Sequence, residues 1–328
     1  MIMNRKEITL ADVKAAKKRI AGIAFKTPLR PSLSLSEKNG KKVYLKLENM
    51  QPSGSFKLRG AANAMLSLSE EARQRGVITM SAGNHGKGVA YVASQTGIQA
   101  IVCVSEMVPK HKIEAMQKLG TEVIVAGKDQ DDATEFALKM AEEKSLTFIS
   151  AFDDPDVIAG QGTTALEILE ENPDIDTLLV QLSGGGLMSG VAVTAKSMIP
   201  DIQLIGVTIV KGAAMVESIK AGKIVPVEEV PSVADALQGG LPFDNQYTFD
   251  ICRQNVDDVI QVPDEQIEKA MAFGFWKERL VLEGAGAITL APLLFNDLDK
   301  LGKNIAAILS GDNVDVNQLM EIALKHQM

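Results

Sequence analysis

The regular alternation of strand-like and helix-like segments limits the fold of this chain more than any other feature. Short runs of β-branched residues alternate with helical patterns, and glycine turns separate them along nearly the whole sequence. Connections long enough to hold a helix are what parallel strands require. The first such series contains strands predicted at 42–48, 76–80, 99–105 and 121–127. We therefore predict an α/β protein whose open, mainly parallel sheets are flanked by helices.

A second series of the same kind begins after the acidic segment DDPD at 153–156. It contains strands predicted at 177–182, 203–210 and 304–310 and a further strand near DDVIQV. Because 328 residues are many for one ordinary domain, two lobes are expected. We predict a small lobe formed by residues 52–151, inserted into a large lobe formed by 1–51 and 152–328.

Composition excludes several classes of partner. The formal net charge is −8 and aromatic residues make up only 4% of the chain, which argues against a surface that binds nucleic acid. No apolar run is long enough to span a membrane and no signal-peptide core is found, so we expect a cytoplasmic protein without a membrane partner. Cys103 and Cys252 have no paired spacing and are predicted to be reduced core residues.

A lysine follows a serine/glycine turn in the segment PSGSFKLRGAANAM (52–65). By composition alone Lys57 is an exposed helix lysine, which is the usual fate of lysine. However, it stands beside Phe56 at the start of a predicted helix, where an amine can be desolvated and its pKa lowered toward nucleophilic use. Both interpretations are open from this segment alone.

Two further glycine loops each follow a predicted strand and begin a helix. Consecutive backbone N–H groups in SGGGLMSG (183–190), together with the helix dipole, suit a phosphate, although a tight turn also needs small residues. SAGNHGKG (81–88) suits a carboxylate, although its serine and asparagine are also ordinary capping residues. Open parallel sheets bind ligands at such strand ends. A lysine, a phosphate site and a carboxylate site together suit an amino acid and a phosphorylated aldehyde.

Six motifs then identify a family by resemblance. They are, in order, PSGSFKLRGA, SAGNHGKGVA, DVIAGQGT, SGGGLMSG, LEGAGA and ILSGDNVD. Their order and spacing resemble those of the threonine/serine dehydratases and serine racemases, which belong to the fold-type II group of pyridoxal-phosphate enzymes. The likeness extends from about residue 9 to 320, and GVTIVKGAAMVES through VLEGAGA is especially similar to the dehydratases of hydroxyectoine utilisation. The resemblance implies a two-lobe, tryptophan-synthase-like fold and pyridoxal 5'-phosphate as the cofactor.

The resemblance also implies a reaction and a set of site residues. The expected enzyme removes water and then ammonia from a 3-hydroxy amino acid, L-threonine or L-serine by default, and forms a homodimer or a higher homo-oligomer. Lys57 is expected to bind the cofactor covalently and to be the catalytic residue. The other cofactor-binding residues implied are Phe56, Asn84, Ser183, Gly184, Gly185, Gly186, Leu187, Glu283 and Ser310. The loop implied for the substrate carboxylate contains Ser81, Ala82, Gly83, Asn84 and His85.

Some positions depart from the pattern of the family. Ala82 replaces the hydroxyl residue that racemases use on the opposite face of the ring, which demotes racemisation, although Ser81 is adjacent. Ser183 replaces the first of four glycines in many relatives, Asp312 replaces a glycine, and Ala234-Asp235-Ala236 replaces Ala-Asp-Gly. No acid precedes Glu217 in the region where some relatives bind a metal, so no metal site is expected there.

Other functions of the same fold stay open at this point. A hydroxyectoine-derived compound or 3-hydroxyaspartate is an alternative substrate, because of the similarity in the C-terminal half. Racemisation and β-replacement are alternative reactions of the same fold. A small-molecule binder without catalytic activity is a third class, and the presence of Lys57 with all three loops argues against it.

Overall fold

The computed structural model describes residues 5–327, except for the side chain of His111, and contains two separate sheets. The strands are β1 (Leu29–Pro31), β2 (Lys42–Leu47), β3 (Val77–Met80), β4 (Ala100–Val104), β5 (Glu122–Val125), β6 (Thr147–Phe148), β7 (Thr177–Gln181), β8 (Gln203–Ile209), β9 (Asp258–Val262) and β10 (Asn304–Leu309).

Helices surround both sheets. They are α1 (Leu10–Arg19), α2 (Leu33–Asn39), α3 (Lys57–Ser67), α4 (Glu70–Arg75), α5 (Asn84–Thr96), α6 (Lys110–Gln117), α7 (Gln130–Lys144), α8 (Pro155–Glu171), α9 (Gly186–Met198), α10 (Ala214–Ala221), α11 (Thr248–Asn255), α12 (Asp264–Trp276), α13 (Gly284–Ala287), α14 (Leu290–Phe295) and α15 (Val316–Lys325). No helix between residues 5 and 327 combines the length and the apolar character that crossing a bilayer requires.

The smaller sheet has the strand order β5-β4-β3-β6, and every pairing in it is parallel. All four strands come from residues 77–148, and the part of the chain built around this sheet is called the small lobe below. The larger sheet has the order β1-β2-β10-β7-β8-β9, and its strands come from both sides of that segment. The α/β class and the mainly parallel sheets are confirmed, while the lobe boundaries themselves stay a prediction.

Two local features were not predicted. The strand β1 pairs antiparallel with β2 at the edge of the large sheet. Proline has no backbone N–H to donate, and an edge strand such as β1 tolerates Pro31 because it has a neighbouring strand on one side only. The helix α8 begins at Pro155, five residues before the segment GQGTTALEILEEN in which a helix was expected. The Asp154 carboxylate accepts hydrogen bonds from the backbone N–H groups of Asp156 and Val157, and proline suits the first helical turn.

The helix that begins with Lys57 is fixed by close packing against the large lobe. α3 and α8 cross where each has a glycine, and a β-carbon at Gly60 would lie 2.8 Å from Val157 Cγ1. A β-carbon at Gly160 would lie 2.5 Å from the Arg59 carbonyl oxygen. Only glycine allows this separation, so α3 is held tightly against α8.

A buried ion network fastens the same helix. Arg59 is 1% exposed, and its guanidinium donates to the carboxylates of Glu48 and Glu167 at 2.7–2.8 Å. The ammonium of Lys46 also donates to Glu167, at 2.6 Å, and the Thr27 hydroxyl donates to Glu48 at 2.5 Å. Two buried cations therefore balance two buried carboxylates, which is the condition under which buried charge is tolerated.

Replacing Arg59 with methionine should lower the free energy of unfolding by about 3–5 kcal/mol, because two buried carboxylates would then share the one cation of Lys46. Urea denaturation followed by circular dichroism measures this change. As a matched control, Lys139→Met removes an exposed ion pair with Glu143 and should change the same quantity by at most about 0.5 kcal/mol. Equal effects of the two substitutions would contradict the role given to the network.

Candidate functional site

The predicted site residues lie in loops at the carboxyl ends of strands. β3, β7 and β10 lead into the loops that begin with Ser81, Leu182 and Ser310. The last of these loops is joined to the turn before α3, since the backbone N–H of Phe56 donates to the Ser310 carbonyl at 3.0 Å. The backbone N–H of Asp312 donates to the carbonyl of Gly54 at 2.9 Å, so the lysine turn and the β10 loop are one unit.

The amine of Lys57 contacts the segment that follows β6. The side chain is half-buried, and its Nζ donates to the Ala151 carbonyl at 2.6 Å and lies 5.4 Å from the centroid of the Phe56 ring. Within residues 5–327 no carboxylate lies within ion-pair distance of this amine. Desolvation lowers the pKa of Lys57 to about 8. A neutral, nucleophilic amine is therefore accessible near neutral pH.

The glycine loop before α9 lies beside the same segment of chain. Gly185 has a φ of 85°, in the left-handed region, and stands at the N-cap without a side-chain cap. A β-carbon at Gly184 would lie 2.7 Å from the Phe152 ring, and one at Gly186 would lie 2.8 Å from Phe152 Cα. The carbonyl of Ala151, the residue before Phe152, accepts from Lys57, so the loop and the amine contact adjacent residues of one segment. The uncapped N–H groups at the start of α9 can bind an anion.

Ser183 and Leu187 complete the predicted phosphate loop. Ser183 is half-buried and lies two residues after the end of β7. The side chain of Leu187 is buried in the core of the large lobe, so only its backbone N–H can serve a ligand. Cys252 packs behind the loop, where its thiol donates to the Gly185 carbonyl at 3.8 Å. Burial raises the pKa of the Cys252 thiol to about 12, as expected for a core residue.

The loop before α5 presents backbone rather than side chains. The hydroxyl of Ser81 accepts from the backbone N–H of Gly83 at 3.3 Å, and α5 begins without a side-chain cap. His85 is 2% exposed and its Nε2 lies 3.1 Å from the Ile149 carbonyl. Desolvation, reinforced by the charge of Lys57, lowers the pKa of His85 to about 3, so the imidazole is neutral. The His85 side chain therefore supports the loop from inside the small lobe.

Asn84 connects this loop to the large lobe. Its Nδ2 donates to Glu283 Oε1 at 2.6 Å, and Glu283 is 5% exposed at the start of α13. Burial raises the pKa of Glu283 to about 7. The Ser310 hydroxyl, which is also buried, donates to the Ala285 carbonyl at 3.3 Å. The backbone N–H of Glu283 also donates to the Gly311 carbonyl at 3.2 Å, so Asn84, Glu283 and Ser310 form one connected group.

The sequence did not reveal two residues of this cluster. Asn313 donates through Nδ2 to Asn84 Oδ1, and its own Oδ1 accepts from the ammonium of Lys87. Both residues stand inside recognised motifs, SAGNHGKG and ILSGDNVD, but only their contacts reveal a connection. Asp312 lies beside them, and burial raises the pKa of its carboxyl to about 6, against the effect of the Lys87 charge. Within the described residues, no group of three or more potential metal ligands is found.

Comparison with known proteins shows the relationships of this chain. Residues 20–311 match the family model described as pyridoxal-phosphate dependent enzyme. A putative threonine dehydratase of Sinorhizobium fredii is 44% identical over 96% of this chain and 95% of its own length. An L-threonine ammonia-lyase of Thermotoga maritima is 42% identical over 97% of this chain and 79% of its own length. The structure of maize serine racemase superimposes with a TM-score of 0.91 at 33% identity, covering 98% of each chain.

In ligand-free protein, the Lys57 amine should titrate with a midpoint near pH 8, because burial disfavours its charged form and no carboxylate offsets this. Its rate of acetylation, followed by peptide mass spectrometry between pH 6 and about 11, measures the midpoint. A Lys57→Arg protein identifies the peptide signal. A midpoint close to the ordinary lysine value of 10.5 would contradict the environment described.

Proposed function

We propose that this chain, which belongs to the pyridoxal-phosphate dependent enzyme family, is an ammonia-lyase acting on a small 3-hydroxy amino acid. The products are a 2-oxo acid and ammonia, and L-threonine or L-serine is the default substrate. Relatives named as threonine dehydratases and ammonia-lyases, 36–44% identical over 94% or more of this chain, support this reaction. The observation that carries the proposal is the desolvated amine of Lys57 beside an uncapped glycine loop.

The residues of the site fit pyridoxal 5'-phosphate, which is the cofactor of the family. An aldehyde needs a neutral amine, and Lys57 provides one that no carboxylate of residues 5–327 holds in the charged form. A phosphate monoester needs several N–H donors, and the start of α9 offers them between Ser183 and Leu187. When bound, the cofactor withdraws electrons from the α-carbon of an amino acid.

The remaining cofactor residues complete the proposed site. Asn84 has a second Nδ2 hydrogen, which would serve the phenolic oxygen, and the ring of Phe56, which lies beside the Lys57 amine, would pack against the cofactor. Ser310 would face the pyridine nitrogen, and Glu283 would lie near the ring. A serine hydroxyl cannot hold a positive charge at that nitrogen as a carboxylate would, which favours prompt loss of a β-leaving group. This property suits a dehydratase.

Lys57 is the proposed catalytic base. Once its amine is released by an incoming amino acid, it takes the proton from the α-carbon, because its lowered pKa leaves a useful neutral fraction near pH 7–8. The substrate carboxylate is held by the loop from Ser81 to His85, through the backbone N–H groups at the start of α5, including that of Asn84, and the hydroxyl of Ser81. The methyl side chain of Ala82 offers the substrate no polar group.

A second candidate reaction is racemisation. The close superposition with maize serine racemase favours it, and Ser81 supplies a hydroxyl near the loop. Ala82 argues against it, because its methyl group cannot return a proton to the opposite face. If the reaction is dehydration, a hydroxyectoine-derived compound or 3-hydroxyaspartate is the alternative substrate. A third candidate reaction is β-replacement, which needs an added thiol.

Assembly and location complete the proposal. A homodimer or higher homo-oligomer is supported by an exposed apolar surface, on which Phe25, Met50 and Val281 are 53%, 53% and 42% exposed. These residues are neighbours, because Gln51 bonds to the backbone of Phe25 and Asn49 donates to the Val281 carbonyl. We place the protein in the cytoplasm, which the two buried free cysteines support.

With pyridoxal phosphate added, the protein should release a 2-oxo acid from L-threonine, L-serine or 3-hydroxyaspartate, and the relative kcat/KM values identify the substrate. Lys57→Ala should lower kcat by at least about 10²–10⁴-fold, because it removes both the cofactor link and the base. Lys118→Ala, at an exposed site on the surface of the small lobe, serves as the control.

Two results would contradict the proposal. One is turnover by the Lys57→Ala protein at the wild-type rate. The other is the absence of 2-oxo acid formation from all three substrates although the cofactor binds. Activity on a hydroxyectoine-derived compound would then identify the alternative substrate. Conversion of L-serine into D-serine without keto-acid formation would favour the racemase.

A further inference from the structure

Lys87 lies one turn after Asn84 on α5, and the proposed function gives it no role. We propose that Lys87 is a positioning residue that fixes the orientation of the Asn84 side-chain amide through Asn313. The inference rests on the proposed function in one respect, since it takes Asn84 to face the phenolic oxygen of the cofactor. Lys87 itself touches neither cofactor nor substrate in this scheme.

A continuous chain of hydrogen bonds connects the three residues to Glu283. The ammonium of Lys87 donates to Asn313 Oδ1, and Asn313 Nδ2 donates to Asn84 Oδ1. Asn313 Nδ2 also faces the carbonyl of Ser53 at 3.3 Å. Asn84 Nδ2 then donates to Glu283 Oε1 at 2.6 Å. The chain runs from the helix of the small lobe, through the β10 loop, and back to the site.

Lys87 is the stronger of two groups that set the direction of this chain, since the ammonium makes a charge-assisted hydrogen bond, whereas the Ser53 carbonyl accepts from Asn313 Nδ2 over 3.3 Å. An asparagine amide can turn over and exchange its donor and acceptor, so two facing amides have two possible arrangements. An ammonium only donates. Lys87 therefore requires the oxygen of Asn313, which turns the Asn313 nitrogen toward Asn84 and leaves Asn84 with both its N–H groups facing the site. In the reverse arrangement, Asn84 would present an oxygen to Glu283 and to the phenolic oxygen, and acceptors would face each other.

The direction of the hydrogen bond between Asn84 and Glu283 affects the pKa of Glu283, which is buried among several charged groups. The carboxyls of Asp235 and Asp312 raise its pKa, and the ammonium of Lys112, which lies 3.5 Å from Asp235, lowers it. The charge of Lys87 lowers the pKa of Asp312, although burial raises that pKa overall. Among the described residues, Asn84 provides the one side-chain hydrogen bond to the Glu283 carboxylate. Burial raises the pKa of Glu283 to about 7, and the Asn84 bond opposes that rise. Loss of this donor therefore raises the pKa further.

The test compares three variants of the cofactor-loaded protein by the pH dependence of its visible absorbance, because the charge of Glu283 beside the ring alters the band. The wild-type protein should show a midpoint near pH 7. Lys87→Met removes the obligatory donor and should move the midpoint upward by about one pH unit. Lys87→Arg retains a donor and should restore the wild-type midpoint.

The third substitution, Asn313→Leu, separates orientation from the direct effect of the Lys87 charge. Leucine has nearly the shape of asparagine but neither a donor nor an acceptor, so it breaks the connection between Lys87 and Asn84 without adding charge. If Lys87 acts through Asn313, adding Lys87→Met to Asn313→Leu should leave the titration midpoint unchanged. An upward shift in that background equal to the shift in the wild-type background would show a direct effect of charge, and that result overturns the inference.

The remaining outcomes are equally decisive. A Lys87→Met titration identical to that of the wild type also overturns the inference. If this variant does not fold, Lys87→Gln, whose amide is not restricted to donating, replaces it in both the wild-type and the Asn313→Leu backgrounds. Failure of the proposed function is visible separately. If the wild-type protein acquires no visible band with pyridoxal phosphate, the function and this inference both fail. If the wild-type protein acquires the band and the Lys57→Ala protein does not, the result supports the proposed function. The titrations then test the role of Lys87 separately.

Discussion

The removal of one amine from water, without a carboxylate to balance its charge, is the constraint on which the site depends. Lys57 has the Ala151 carbonyl as its hydrogen-bond partner and the Phe56 ring beside it. A lysine in such surroundings loses part of the stability of its charged form, and its pKa falls to about 8. A mobile segment would not keep the amine in these surroundings, so the rest of the fold has to fix the position of α3.

Two kinds of interaction hold it. The glycine contact between α3 and α8 brings the backbones together, and the network of Arg59 with Glu48 and Glu167 anchors the helix two residues after Lys57. Buried ion pairs contribute little net stability, but they specify one arrangement because any other leaves charge unpaired. The network therefore determines where the amine lies, while the apolar core supplies most of the stability of the large lobe.

Much of this organisation could be predicted from local sequence. Strand positions and the glycine loops follow from periodicity and turn chemistry, which act over a few residues, and six motifs were enough to identify the family. β1 was missed because a three-residue edge strand has no period to detect. Lys87 and Asn313 were missed because they are 226 positions apart and only the assembled lobes bring them together. His85 was expected in the substrate loop, but its side chain is turned toward Ile149 by tertiary packing.

The most direct test of the account is borohydride reduction of the purified protein after incubation with pyridoxal phosphate, followed by peptide mass spectrometry. Reduction makes the link between an amine and the cofactor aldehyde permanent. The account predicts one phosphopyridoxyl group per chain, on the peptide that contains Lys57. A protein that stays unlabelled at Lys57, or that is labelled instead at exposed lysines, would contradict the central claim.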